Sequence, residues 1–311
     1  EYVSGNLAWK GEVRVKKKTA DFIVETNLVG VSSSLPEPLN KNAASALPLR
    51  IEKGNLAEGG DQIRVSLGKV AEAHILRRPE GHAMVVDRGA AALGEALPKM
   101  PGKGLALAIA QPQIDADAWR RLFAGDNGGA SAGAVPADLP PLQMAVKTPL
   151  LRLFGRDFRD VEVNLRPRDG GWQIGLSTRE ALGDVFWRSG GEGWVQADLK
   201  RLAVPASAAG EGGDSRILDS LPGMDIRVAE FTIGEKRLGR LELKARNERS
   251  LWNLEALSLQ NPDGALKGKA QWNSVGGHHT RLGFELTSGD IGKLLERLGY
   301  HVTRFTDSTK A

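Results

Sequence analysis

One stretch of the chain has the spacing of a catalytic nucleophile: Gly129-Ala130-Ser131-Ala132-Gly133 fits G-x-S-x-G. In that motif a strand precedes the serine and a helix follows it, so that the hydroxyl stands strained and exposed above a parallel sheet. Here the five residues lie inside a Gly, Ala and Ser run ending at Pro136, with neither pattern beside them. The plain reading is a chance match, and no hydrolase is expected. The histidines, His74, His82, His278, His279 and His301, show no compact ligand spacing with a carboxylate. His278 and His279 would point to opposite faces of a strand and follow Gly276-Gly277, which reads as a turn rather than a metal site. Asp115 and Asp117 could be paired carboxylates, but helix capping explains them more simply. No Walker loop or dinucleotide glycine fingerprint is present. Absence of cysteine excludes disulfides, thiol nucleophiles and thiolate metal sites. The expectation is a protein that is not an enzyme and uses no cofactor.

What the chain does carry is apolar surface in a regular pattern. Apolar and polar residues alternate with period two, which puts one row of side chains on each face of a strand. Examples are Ile63-Val65-Leu67, Leu105-Leu107-Ile109, Val161-Val163-Leu165, Trp172-Ile174-Leu176, Val195-Ala197-Leu199, Leu241-Leu243-Ala245 and Leu282-Phe284-Leu286, with Arg, Glu, Lys, Gln, Asn and Thr between them. Such strands have one dry face and one wet face. The pattern predicts a mainly β fold, an extended, curved antiparallel sheet forming a repeating groove, with a few short capping helices. One helix is predicted near 116–124, with Asp115 or Asp117 as cap and Trp119, Leu122 and Phe123 as its apolar side. The other is predicted near 289–298, with Ser288 as cap, Asp290 in the positive first turn, and Ile291, Leu294, Leu295 and Leu298 as a stripe that Gly299 closes.

The segment from Phe158 to Trp172 aligns without gaps on Leu238 to Trp252, and a further strand ends in Trp187 or Trp272 after each. This is duplicated hairpin architecture. The seven tryptophans cluster at strand starts and ends, where an indole packs at a sheet margin or meets lipid. Two segments, Gly125 to Pro141 and Ala206 to Asp214, are Gly, Ala, Ser and Pro-rich loops. The first divides the chain into expected regions 1–124 and 142–311, although a continuous sheet could run past it.

The 311 residues are 41% hydrophobic, with 42 basic and 38 acidic residues and a net charge of +4. The charges are interspersed, so a nucleic-acid partner is not expected. Lys16, Lys17 and Lys18 beside Arg14 form the one tight basic cluster, a solvated turn or edge, or a contact with anionic lipid headgroups. No apolar run approaches the roughly 20 residues of a membrane helix. The chain opens on Glu1-Tyr2-Val3 without initiator methionine or signal peptide, which reads as an internal fragment.

Many one-sided strands need a second layer, and the helices are too few to supply it. A sheet folding over acyl chains would satisfy the pattern, since each buried CH₂ is worth roughly 0.8 kcal/mol. Strand parity then nominates Val161, Val163, Leu165, Ile174, Leu176, Leu241, Leu243, Leu254, Leu282, Phe284 and Leu286 as lipid-groove lining. The alternative is a β scaffold or protein-interaction module that closes on itself. A bulge would reverse parity, as Ile226-Val228 giving way to Phe231-Ile233 suggests.

Several segments together carry a resemblance. They are Leu28 to Lys41 (LVGVSSSLPEPLNK), Ile114-Asp-Ala-Asp117-Ala-Trp119, Phe154-Gly155-Arg156-Asp-Phe158, Gly171-Trp172, Trp194 to Pro205 (WVQADLKRLAVP), Leu221-Pro222, Leu238-Gly239, and Gly289 to Tyr300 (GDIGKLLERLGY). In their order and number the chain resembles the YhdP members of the AsmA-like envelope proteins of Gram-negative bacteria. The resemblance implies an inner-membrane-anchored, long periplasmic β-groove that moves phospholipid toward the outer membrane and supports its permeability barrier. The partners it implies are phospholipid acyl chains, with the membrane reached through parts outside this chain. It brings no catalytic residues to carry over.

Overall fold

Alternation this regular builds sheet, and strand dominates the fold. In the computed structural model residues 2–16, 19–57, 59–124, 140–188, 193–205, 222–248, 251–273 and 279–297 are described. The chain divides into two compact units, Glu1–Arg168 and Asp169–Ala311. Each is built on one sheet.

The first unit contains β1 (Val3–Gly5), β2 (Trp9–Lys16), β3 (Thr19–Thr26), β4 (Val31–Ser33), β5 (Leu49–Asn55), β6 (Asp61–Leu67), β7 (Ala71–Glu80), β8 (Ala83–Leu93), β9 (Gly104–Ala110), β10 (Ile114–Asp115), α1 (Ala116–Ala124), β11 (Leu142–Leu153) and β12 (Arg156–Arg168). Its main sheet runs β2-β3-β5-β6-β7-β8-β9-β11-β12. β1 and β4 form a separate short ribbon. Most neighbours are antiparallel, as the hairpin turns require. β8–β9, β9–β11 and β10–β11 are parallel. A parallel neighbour needs a crossover connection of a dozen or so residues, and the sequence between β9 and β11 includes the Gly/Ala-rich run 125–141. That run therefore joins two paired strands of one unit, and the division between units falls at 168/169.

The second unit contains β13 (Gly171–Ser177), β14 (Ala181–Arg188), β15 (Trp194–Val204), β16 (Gly223–Ile233), β17 (Lys236–Glu248), β18 (Leu251–Asn261), β19 (Gly264–Asn273), β20 (His279–Ser288) and α2 (Ile291–Arg297). Its strands pair in chain order, all antiparallel except β15–β16. The second loop-like segment, 206–214, lies in that parallel connection. The expected bulge is present, because the β16–β17 register shifts between Val228 and Phe231. Further shifts fall at Leu182/Gly183, Lys244/Ala245 and Leu254/Leu257.

Both predicted helices form. α1 is capped by Asp115, whose carboxylate accepts from the Ala118 amide at 2.8 Å. Asp117 instead accepts from the Phe154 and Gly155 amides, at 2.8 and 2.7 Å. Those two residues, with φ of 53° and 69°, form the two-residue turn between β11 and β12. α2 is capped by Asp290, not by Ser288: the Lys293 amide donates to Asp290 Oδ1 at 3.1 Å, while the Ser288 hydroxyl donates to the Asp263 carbonyl at 2.8 Å. The helix begins two residues later than the serine reading requires, and the shorter strand-end contact takes the hydroxyl. Leu294 is the buried residue of its stripe and Ile291 is exposed.

Candidate functional site

Residues directly opposed in a ladder share a face of the sheet, so the registers assemble the apolar rows strand by strand. In the first unit one row reads Trp9, Thr26, Leu49, Leu67, Ala71, Leu93, Ile109, Val146, Val163. The next reads Gly11, Val24, Ile51, Val65, Ala73, Ala91, Leu107, Met144, Leu165. A third runs Val13, Phe22, Lys53, Ile63, Ile75, Gly89, Leu105, Leu142. Val161, opposite Thr148, continues the same face along β12. The Trp9 ring lies over Gly11, where an added Cβ would come within 2.7 Å of it. The missing side chain thus lets an indole lie along this face.

The second unit repeats the arrangement. Ile174, Val185, Ala197, Ile226, Leu243, Leu257, Gly268 and Phe284 form one row. Leu176, Gly183, Leu199, Val228, Leu241, Leu259, Leu266 and Leu286 form the next, and Trp172, Trp187, Val195, Met224, Ala245, Leu254, Ala270 and Leu282 a third. Trp172 opposes Trp187, and Trp252 opposes Trp272, so each repeated hairpin carries a cross-strand tryptophan pair at one margin of the face.

The opposite faces carry most of the charge, apart from a patch of Ala90, Ala92, Ala106 and Ala108 on β8 and β9. Lys147 meets Glu162 at 3.5 Å, Arg246 meets Glu255 at 2.8 Å and Arg227 meets Asp198 at 3.6 Å, while Arg50 bridges Glu25 and Glu52. Exposed pairs of this kind add little stability but keep that side wet.

The closest backbone approaches between described elements run between sheet neighbours, apart from α1 on β11 and α2 on β17. On the rows the buried hydrophobic side chains are Val161 in the first unit and Ala197, Val228, Ala245 and Leu254 in the second, and the largest side chains under 2% exposed are Val161 and Val228. Ala90, Ala92 and Ala108 are buried on the opposite face. Most large aliphatic residues of the rows are half-buried. On the strands with one described neighbour, Trp9, Val13 and Val15 of β2 and Leu282, Phe284 and Leu286 of β20 are 50–75% exposed. The site is therefore a set of apolar faces whose large side chains are mostly half-buried, and widely exposed on β2 and β20.

The family model described as YhdP protein matches residues 1–309. The chain belongs to the YhdP protein family. No curated protein and no solved structure matches it.

In this YhdP family member, all eleven residues nominated by parity stand on the apolar rows of their own unit: Val161, Val163 and Leu165 in the first, the other eight in the second. Val161 and Leu254 are buried, the remainder partly or widely exposed. Sequence reading passed over Val24, Ile51 and Met144. Phe22-Ile23-Val24 is a continuous apolar run that hides the alternation, and Ile51 stands alone between Arg50 and Glu52. It also passed over a charged group on the same face of the first unit. Asp61, 3% exposed, accepts from Arg77 Nε at 2.8 Å and Arg77 NH2 at 2.6 Å, and Lys53 Nζ lies 3.4 Å from its carboxylate. The Arg77 hydrogen bonds hold the Asp61 carboxyl below its ordinary pKa, against the opposing effect of burial. Lys53 and Arg77 were recognisable only from parity, as cations two residues beyond Ile51 and Ile75.

Ser131, His278 and His301 lie outside the described residues, as do Lys17, Lys18, Leu298 and Gly299. His74 bonds Gln62 at 3.0 Å on the charged face. Among the described residues no group of three or more His, Asp or Glu side chains could hold a metal ion. No described helix is long and apolar enough to cross a membrane.

Proposed function

We propose that this chain is a lipid-carrying segment of a periplasmic protein, anchored in the inner membrane of a Gram-negative envelope. Its apolar faces carry phospholipid between inner and outer membrane and so support the outer-membrane permeability barrier. The reading is non-catalytic. It rests on one observation above all: apolar rows eight or more strands wide in each unit, interrupted only by Thr26 and Lys53 in the first, whose large side chains mostly stay partly exposed. Exposed apolar area costs roughly 25 cal/mol per Å², and an acyl chain laid on it recovers roughly 0.8 kcal/mol per CH₂. Membership of the YhdP family supports the envelope setting.

The exposed strands β2 and β20 favour a second reading, a β scaffold that binds protein partners by strand addition. Photo-crosslinking in Gram-negative cells separates the two. A photoreactive residue at Val163 or Leu243 of the full-length protein is expected to capture phospholipid, while one at the neighbouring Glu162 or Glu242 on the charged face does not. Protein adducts at β2 and β20, with no lipid adduct at Val163 or Leu243, would move the assignment to the scaffold.

A further inference from the structure

Lys53 is the one charged residue in the three apolar rows of the first unit, standing between Phe22 and Ile63 in register. Asp61 and Arg77 oppose one another in the adjoining row, beside the 56–60 connection that joins β5 to β6. The three therefore sit on the apolar face at the end of the strands, where the face meets water.

The Lys53 ammonium is only loosely held by the cluster's own packing. The Asp61 carboxylate is already met at both oxygens by the fork of Arg77, at 2.8 and 2.6 Å. Lys53 makes a longer contact of 3.4 Å to Oδ2, beyond the roughly 2.7–2.9 Å of a strong charge-assisted bond. Its ammonium has three donors, and its other electrostatic neighbour is the Asp21 carboxylate, which is itself held by Asn55. Lys53 and Arg77 stand against the Asp61 carboxylate, with Asp21 also within electrostatic reach of Lys53, beside Phe22, Ile63 and Ile75. An ammonium on an apolar face is costly, and an aliphatic residue there would simply lengthen the row. The cluster is also reachable: the Lys53 and Arg77 side chains are 22% and 27% exposed, against 4% for Asp61.

We propose that Lys53, steadied by the Asp61–Arg77 pair, is a headgroup site for an amphiphile with an anionic phosphate or carboxylate head, whose chain lies along the apolar rows. This rests on the reading that the face takes a lipid chain. Arg77 fixes Asp61, Asp61 holds Lys53 at the rim, and the remaining Lys53 donors meet the anion.

The test compares n-dodecyl phosphate with n-dodecyl maltoside, which share a chain, and with inorganic phosphate, which has none. Binding to the 311-residue chain is measured by equilibrium dialysis below both critical micelle concentrations. Lys53→Met, which keeps the Asp61–Arg77 pair, is expected to weaken dodecyl phosphate binding on the order of tenfold and leave dodecyl maltoside unchanged, with Lys53→Arg restoring most of the loss. Circular dichroism checks that both variants fold. Equal binding of the two surfactants, unaltered in Lys53→Met, would overturn the headgroup site while the apolar-face reading stands. Binding of neither surfactant would overturn both. Inorganic phosphate displacing dodecyl phosphate at matched concentration would make this a plain anion site and overturn the amphiphile.

Discussion

The Asp117 carboxylate accepts the amide of Gly155 at 2.7 Å across 38 residues of sequence. With the Phe154 amide on its other oxygen and the Arg120 guanidinium 4.8 Å from the Phe154 ring centroid, the first turn of α1 grips the β11–β12 turn. These hydrogen bonds, led by that from Gly155, draw the Asp117 pKa below its usual value.

Asp117→Ala removes both acceptors, and Asp117→Asn leaves one oxygen for two amides. The expected order of thermal stability is wild type, then Asn, then Ala, with faster hydrogen exchange at the Phe154 and Gly155 amides. Unchanged exchange at both would mean that the turn holds without the clamp.

Arg77→Met removes both guanidinium hydrogen bonds from the buried Asp61 carboxylate and leaves it only the longer Lys53 contact. A loss of about 2–3 kcal/mol at pH 7 is expected from denaturant unfolding, most of it recovered when Asp61→Asn is added. A carboxyl with a lowered native pKa contributes stability above its unfolded pKa and loses it as pH falls through the native value. The wild-type advantage over Arg77→Met should therefore be full at pH 6 and shrink below pH ~4. A gap independent of pH would show that lost packing, rather than charge, causes it.

Val161 is 1% exposed and Phe284 is 71% exposed, although parity groups both as apolar-face residues. Val161→Ala deletes two buried carbons and should cost about 1.6 kcal/mol. Phe284→Ser should change stability by no more than about 0.5 kcal/mol while reducing binding of an apolar dye such as ANS. A large destabilisation from Phe284→Ser would mean that β20 is covered in solution.

Period-two alternation alone determined the strand-rich fold and the face assignment of residues such as Leu243 and Phe284, because a side chain's face in a strand depends only on parity and on the nearest bulge. The Val228/Phe231 shift was legible for the same reason: two apolar frames out of phase require an extra residue between them. Tertiary structure decided what local pattern does not encode. Gly/Ala-rich composition at 125–141 cannot distinguish a domain linker from a parallel crossover, since either needs only length; pairing of β9 with β11 distinguishes them. Asp117 reads as a cap because its partner turn is remote in sequence, and Asp61 belongs to no pattern in the sequence because Arg77 reaches it only through the β6–β7 register. Whether the apolar rows are covered likewise depends on what packs above them, a property of assembled elements that no single strand carries.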